Sequence, residues 1–410
     1  MGERVVAEKM VFGGNCIAKV NGKTLFIPDA IPGEALEVEI TASFRDYDIA
    51  KIIQIVEPSA QRVQPFCPLY GICGGCTMQH VSATHQRELR MRILQDCFAR
   101  EGITVPGIRL IAGDEQGYRA RIQLTDGGFN RRGSNTVVPL TTCPVATPHV
   151  NAYLASVPQS ERPRGRCHVF GDARVQNATP FDHLIVAEEK KRTQPVMSEK
   201  LRKRIKHRVP PRFAGTTPGT QSVCSVLLAG KTVHFDTHGF FQSNLAVLEQ
   251  TVGVLMQGLN GSHALDMYAG AGIFSVFLSD CFEHVTLVEH NRDALVQAER
   301  NLAGKSHESY GVSGEKWVRE NATQLLTRQG GFDAVVIDPP RSGMEKAVRD
   351  WLCAHKVAHI RSLSCDPATH ARDAAALIHA GYAMTALYLL DFYPQTSHIE
   401  SLAFFESHAT

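Results

Sequence analysis

ALDMYAGAGIFSVFLSD, residues 264–280, is the stretch whose reading decides the fold. It reads as an apolar strand, a turn of small residues at Ala269-Gly270-Ala271-Gly272, and then a helix. Small residues at such a turn let the backbone approach a nucleoside-type ligand. VTLVEHNRDAL (285–295) follows as a second strand ending at Glu289, where an acid accepts both hydroxyls of a ribose. The dinucleotide pattern G-x-G-x-x-G is incomplete, because Ser275 stands at the third glycine position. That favours S-adenosylmethionine over NAD. From about residue 240 strand and helix alternate to the C-terminus, the signature of a doubly wound, mostly parallel α/β sheet of Rossmann-like type.

The rest of the 410 residues is organised differently. Residues 1–58 hold closely spaced β-rich runs (LFIPDA, ALEVEI, IAKIIQIVEP) punctuated by Gly13-Gly14-Asn15 and Asn21-Gly22, which predicts a five-stranded OB-like barrel. Residues 59–235 hold a cysteine cluster, a helical pattern (ATHQRELRMRILQDCFARE) and α+β sequence, and 236–410 the Rossmann-like region. Hydrophobic residues make up 43% and charged residues 20%, the composition of an ordinary globular protein, and no apolar run is long enough for a membrane span. MGERVVAEKM lacks the apolar core of a secretory signal, so the expected place is the cytoplasm. A net charge of +2 names no partner. Ten basic residues against the single acid Glu199 between 190 and 212 do suggest phosphate contacts. So does a second group, Arg119, Arg121, Arg131 and Arg132 interleaved with Tyr118 and Phe129.

Eleven cysteines in such a chain point to metal or catalytic sites in a reducing compartment rather than to disulfides. Cys16, Cys97, Cys167, Cys224, Cys281 and Cys353 stand alone and read as small buried hydrophobes. Cys67, Cys73 and Cys76 form C-x5-C-x2-C, and Cys143 follows beside a proline. Four thiolates either close a zinc site or hold an iron–sulfur cluster. One C-x2-C with a distant fourth ligand leans toward a cubane, around which Gly71, Gly74 and Gly75 let the backbone wrap. The spacing is not the C-x3-C-x2-C of radical chemistry, so the cluster reads as structural.

Three further segments place chemistry at strand ends: FDAVVIDPPRSGM, HIRSLSCDPATHARD and LYLLDFYPQTSHIESLAFF. Asp338 is followed by two prolines that fix its turn. Cys365 precedes a helix whose N-terminus is expected to lower its pKa. Glu400 opens a further strand. A thiolate, a carboxylate and a methyl donor suit methylation of pyrimidine carbon 5. Thiolate addition at carbon 6 makes carbon 5 nucleophilic, and a base then removes the carbon 5 proton so that the thiol leaves.

At these residues the chain resembles the RNA uracil-C5 methyltransferase family (RumA/TrmA type) from about residue 8 to 406. AEKMVFGGNCIAKVNGKTLFIPDAIPGE resembles its TRAM domain, C-x5-C-G-G-C with Cys143 its [4Fe-4S] site, and FFQSN, LDMYAGAGIFS, DPPRSG, SCDPATHARD and HIESLAFF its remaining motifs in order. The resemblance implies Cys365 as nucleophile and Glu400 as base. It implies contact with uracil or the methyl donor for Gln242 and Asp338, and the donor's ribose for Glu289, with Tyr268 and Gly270 along the turn. It places Asn321 near the adenine, where an aspartate is common, and puts Asp366 and Ala269 where Asn and Cys are frequent. A carboxylate at 366 is expected to raise the pKa of the neighbouring thiol. The implied partner is RNA, large-subunit rRNA before tRNA, with the target base flipped out and no obligate protein partner. The rival readings are an inactive RNA-binding assembly factor and an RNA cytosine-C5 methyltransferase.

Overall fold

The computed structural model describes residues 2–177, 183–189 and 222–407; the basic run at 190–212 lies outside them. Six strands open the chain: β1 (Glu3–Val6), β2 (Lys9–Met10), β3 (Cys16–Val20), β4 (Lys23–Ile27), β5 (Ala35–Ser43) and β6 (Tyr47–Glu57). Their order is β1-β5-β6-β4-β3-β2, so the two ends of the sheet are neighbours in sequence. One bent strand, broken between Val6 and Lys9, thus pairs on both sides and closes a barrel, which is why six strands appear where five were expected. Glu34 seals it. The fully buried carboxylate accepts from the Ile31 and Ser59 amides and from the Arg62 guanidinium at 2.6 and 2.7 Å.

Beyond the barrel come α1 (Ala83–Arg100), β7 (Ile108–Ile111), β8 (Arg121–Thr125), α2 (Pro148–Ser156), β9 (Arg166–Gly171) and β10 (Leu184–Glu188). Strands β10, β9 and β8 form a small antiparallel sheet, and a hairpin of β11 (Val223–Leu228) and β12 (Lys231–Asp236) follows. The C-terminal half contains α3 (Leu245–Leu255), β13 (Gly261–Met267), α4 (Ile273–Cys281), β14 (Phe282–Val288), α5 (Arg292–Asn301), β15 (His307–Tyr310) and β16 (Ala334–Ile337). It ends with α6 (Lys346–Ala354), β17 (His359–Ser364), α7 (Pro367–His379), β18 (Tyr382–Leu390) and β19 (Glu400–Ser407). The sheet order is β15-β14-β13-β16-β17-β19-β18-β7. The first five strands are parallel, β19 runs against its neighbours, and β7, from the first third of the chain, caps the edge beside β18.

Strand alternation divides the core. Leu265, Met267, Val335 and Ile337 face a core continuous with α1 (Leu89, Ile93, Phe98) and the barrel (Leu25, Ile27, Leu36). Ala264, Ala334 and Val336 face the other side with Phe241, Leu248 and Phe277. No helix among the described residues is long and apolar enough to cross a membrane.

Burial works against ionisation of Glu34, yet Arg62 and the two amides hold its pKa below the usual carboxylate value. Stability from such a group is present above its unfolded pKa and lost as pH falls through the folded one. Arg62→Ala strands the buried charge and should destabilise by about 3 kcal/mol at pH 7, with the deficit shrinking in acid. Calorimetric unfolding at both pH values checks this; an equal deficit at both would contradict the account.

Candidate active site

Strand register sets the site. Met267 pairs with Val288 on one side and Ile337 on the other, and Ile337 pairs with Ser362. Tyr268, Glu289 and Asp338 therefore stand side by side, one residue past the carboxyl ends of three neighbouring strands. On antiparallel β19, Ser401 pairs with Ser364, so Cys365 and Glu400 follow as neighbours just beyond that pair.

The glycine turn is wound as its composition predicts. Gly270 and Gly272 have positive φ, and a Cβ on Gly272 would meet Ala298 Cβ at 2.8 Å. Tyr268 holds φ +65 without being glycine, a strained conformation fixed by the Glu345 amide donating to its hydroxyl at 3.1 Å. The Glu289 carboxylate is aimed by the Gly270 amide at 2.9 Å and the Asn291 amide at 2.6 Å. Ser275, the departure from the dinucleotide pattern, donates to buried Asp266 at 2.5 Å. Burial pushes Asp266 up to about 7 even so. Asn321 is half-buried in the irregular turn Val318–Ala322, and no hydrogen bond among the described residues joins it to this group. Gln242 is buried, and its Oε1 accepts from the Tyr393 hydroxyl at 3.3 Å.

Around the thiol the electrostatics differ from expectation. The helix N-terminus does not prevail at Cys365: burial, then Glu400 and Asp338, push the thiol up to about 11, with Arg341 pulling the other way. Asp366 is not among the leading causes of that shift. Its side chain turns back to cap α7, accepting from the Ala368 and Thr369 amides at 3.0 Å. Glu400 is pushed to about 8 by burial and then by Asp338, and Asp338 to about 7 by burial and then by Glu289. One thiol and two buried carboxyls thus share one low-dielectric corner.

A model of the tRNA (uracil-5-)-methyltransferase family matches residues 223–408. An uncharacterised RNA methyltransferase of Treponema denticola is 32% identical, covering 99% of both chains. The Edwardsiella ictaluri 23S rRNA (uracil(1939)-C(5))-methyltransferase RlmD is 31% identical over 97% of this chain and 94% of its own. The chain belongs to the RNA uracil-C5 methyltransferase family. Its fold also matches the crystal structure of the Pyrococcus abyssi tRNA (uracil-54, C5)-methyltransferase bound to S-adenosyl-L-homocysteine. That match has a TM-score of 0.70 and 21% identity, and it covers 98% of this chain and 100% of the other.

Sequence reasoning missed what holds these methyltransferase residues in place. Asp373, in the SCDPATHARD segment, accepts from the Met344 amide at 2.7 Å and pairs with Arg349 and Arg372, fixing the turn after Asp338. The loop 391–399 ahead of Glu400 is gripped from far upstream. Asp391 is paired with Arg87 and Arg90, each at 2.8 Å. Gln86 exchanges hydrogen bonds with the Gln395 side chain and amide, and the Thr77 and Met78 amides donate to the Gln395 carbonyl. Gln395 itself sits at φ +68. The signal was polar Gln86 and Arg90 falling in register with the apolar stripe Leu89, Ile93, Leu94 and Cys97 of the helix.

Part of the second basic group is engaged within the protein. Tyr118 is buried and donates to the Pro394 carbonyl at 2.8 Å, Arg132 pairs with Asp29 at 2.9 Å, and Arg121 donates to the Thr237 carbonyl. Arg119, Arg131 and Phe129 instead line a cavity of about 400 Å³ together with Cys67, Cys73, Cys76 and Cys143. The Gly75 amide donates to Cys73 Sγ at 3.3 Å, and of the three glycines only Gly71 is left-handed. Among the described residues no three His, Cys, Asp or Glu side chains close on a point as a single metal ion requires. Of the six lone cysteines, Cys16, Cys97, Cys167 and Cys224 are buried, and Cys281 and Cys353 half-buried.

Gln86→Leu leaves the Gln395 amide and side-chain oxygen buried without partners. It should lower stability by about 2 kcal/mol and cut turnover more than RNA affinity. Thermal denaturation and single-turnover kinetics check this, and unchanged turnover would detach the clamp from the site.

Proposed function

We propose that this chain transfers a methyl group from S-adenosylmethionine to carbon 5 of a uracil in RNA, with large-subunit rRNA as its substrate. The observation that carries the reading is the pairing of Ser364 with Ser401, which sets Cys365 beside Glu400 at the ends of adjacent strands. S-adenosylmethionine supplies the electrophilic methyl. Cys365 adds through sulfur to carbon 6, and its proton leaves as that bond forms. Asp338, which faces the thiol closely enough to raise its pKa, is the carboxylate at hand to take it. Glu400 then removes the carbon 5 proton, the carbon–sulfur bond breaks and the thiol regains its proton. Gln242 orients the base, and Glu289, Tyr268 and Gly270 cradle the donor, with Asn321 toward its adenine. The rRNA choice draws on relatives of similar length named for 23S rRNA and on the barrel, read as a TRAM module that grips RNA. The division into 1–58, 59–235 and 236–410 and a cytoplasmic location belong to the same proposal.

Cys67, Cys73, Cys76 and Cys143 fit an iron–sulfur cluster: four thiols line one cavity, and an amide already points at sulfur. When bound, such a cluster supplies a rigid cross-link between the cysteine loop and the loop bearing Cys143.

Tritium release from RNA carrying 5-tritiated uridine tests the reaction, with large-subunit rRNA and tRNA in parallel. Release from rRNA alone is expected; release from tRNA alone would overturn the substrate, and none from either the reaction. Cys365→Ala should abolish turnover and covalent RNA adducts. Glu400→Gln should accumulate a denaturation-resistant adduct, and prompt release of product would show another base. Because Glu400 must be ionised to act, kcat/KM should rise with pH and level near its pKa of about 8. A flat profile from pH 6 to 9 would remove it as the base.

A further inference from the structure

The uracil-C5 chemistry runs equally well in principle on cytosine, which differs at the edge bearing N3 and the group on C4. Uracil offers a carbonyl acceptor there, and cytosine an amino donor. A glutamine side chain can serve either, because its amide presents an acceptor at one end and two donors at the other. Which end faces the base depends on what holds the amide.

Here the acceptor end is occupied. Tyr393 donates its hydroxyl proton to Gln242 Oε1 at 3.3 Å, and Nε2 makes no hydrogen bond to any described residue. The phenol is fixed in turn. The Arg119 guanidinium lies over its ring, 5.7 Å from the centroid, the His398 ring packs at 5.5 Å, and Thr396 Oγ1 donates to the Tyr393 carbonyl at 2.7 Å. Burial, then Glu400, push the phenol up to about 12, so it remains a neutral donor throughout the working range.

We propose that Tyr393 is a positioning residue that sets base specificity: its hydroxyl fixes the Gln242 amide with the donor end toward the pyrimidine, matching the C4 carbonyl of uracil and opposing the C4 amino group of cytosine. This rests on reading the site as a pyrimidine-C5 methyltransferase with Gln242 against the base. A polar site left mismatched discriminates strongly because its buried groups lose their partners.

Tyr393→Phe removes one oxygen and keeps the ring. The test compares wild type and Y393F on two RNAs that differ only by uracil or cytosine at the target, reading kcat and KM for carbon 5 methylation by mass spectrometry. The expected result is a fall of about tenfold in kcat/KM on uracil, a rise in cytosine methylation above the wild-type level, and a specificity ratio narrowed by about tenfold or more. A merely structural role would lower both substrates alike; an unchanged ratio, or no gain on cytosine, overturns the inference while leaving the reaction standing. A wild type silent on uracil RNA overturns the reaction, and this inference with it.

Discussion

The structure turns on a buried ion pair. Asp391 has no exposed surface, and its carboxylate lies between the Arg87 and Arg90 guanidiniums of α1. A charge taken out of water costs several kcal/mol unless its partners are well placed, so the pair tolerates little displacement. Asp391 is also the first residue beyond β18, and its amide donates to the Ile111 carbonyl of β7. One side chain thereby fixes where α1 lies, how β7 caps the sheet edge, and where the loop to Glu400 begins. Given that start, the loop can hold Gln395 in a left-handed conformation, because Gln86, Thr77 and Met78 over-determine it.

The site that this loop completes is short of positive charge. Asp266, Asp338 and Glu400 are all raised by burial, and Arg341 is the cation that counters them at Cys365 and Glu400. Near pH 7 such a site reaches neutrality by holding protons. A cationic ligand of suitable shape releases some of those protons and binds better than a neutral one of the same shape. That is the electrostatic preference expected of a pocket for a sulfonium donor, and it follows from the carboxyls without reference to any relative.

What was legible in the sequence was whatever repeats locally. Apolar runs at 264–267, 285–288 and 334–337 became parallel strands, and Tyr268, Glu289 and Asp338, singled out in the sequence as candidates, stand just past their ends. The helix reading ATHQRELRMRILQDCFARE became α1. Illegible were pairings across the chain: Gln86 and Gln395 are 309 positions apart, and no local pattern links them. Arg121 and Arg132 look like nucleic-acid contacts in one dimension because sequence does not reveal that a carbonyl and Asp29 wait for them. The sign of the Cys365 shift was missed for a similar reason. The adjacent helix terminus is local and visible, whereas burial and two carboxyls from other strands come only with the fold.

These two kinds of contact divide the chemistry. Cys365 is held by its immediate neighbours: the Ser364 hydroxyl accepts from the Asp366 amide, and Asp366 caps the helix that follows. Glu400 is held by remote ones. Besides α1 and the cysteine loop, Tyr118 grips Pro394, Thr77 accepts from the Ser397 amide, and Gly14 of the barrel packs so closely on Ser397 that a Cβ there would come within 2.6 Å. The barrel, the cysteine loop and the central strands all bear on one nine-residue loop, and that loop ends at Glu400 rather than at Cys365. Cys365 and Glu400 are thus held by different parts of the chain, and on the roles proposed for them a disturbance of the barrel or the cysteine loop reaches Glu400 before Cys365.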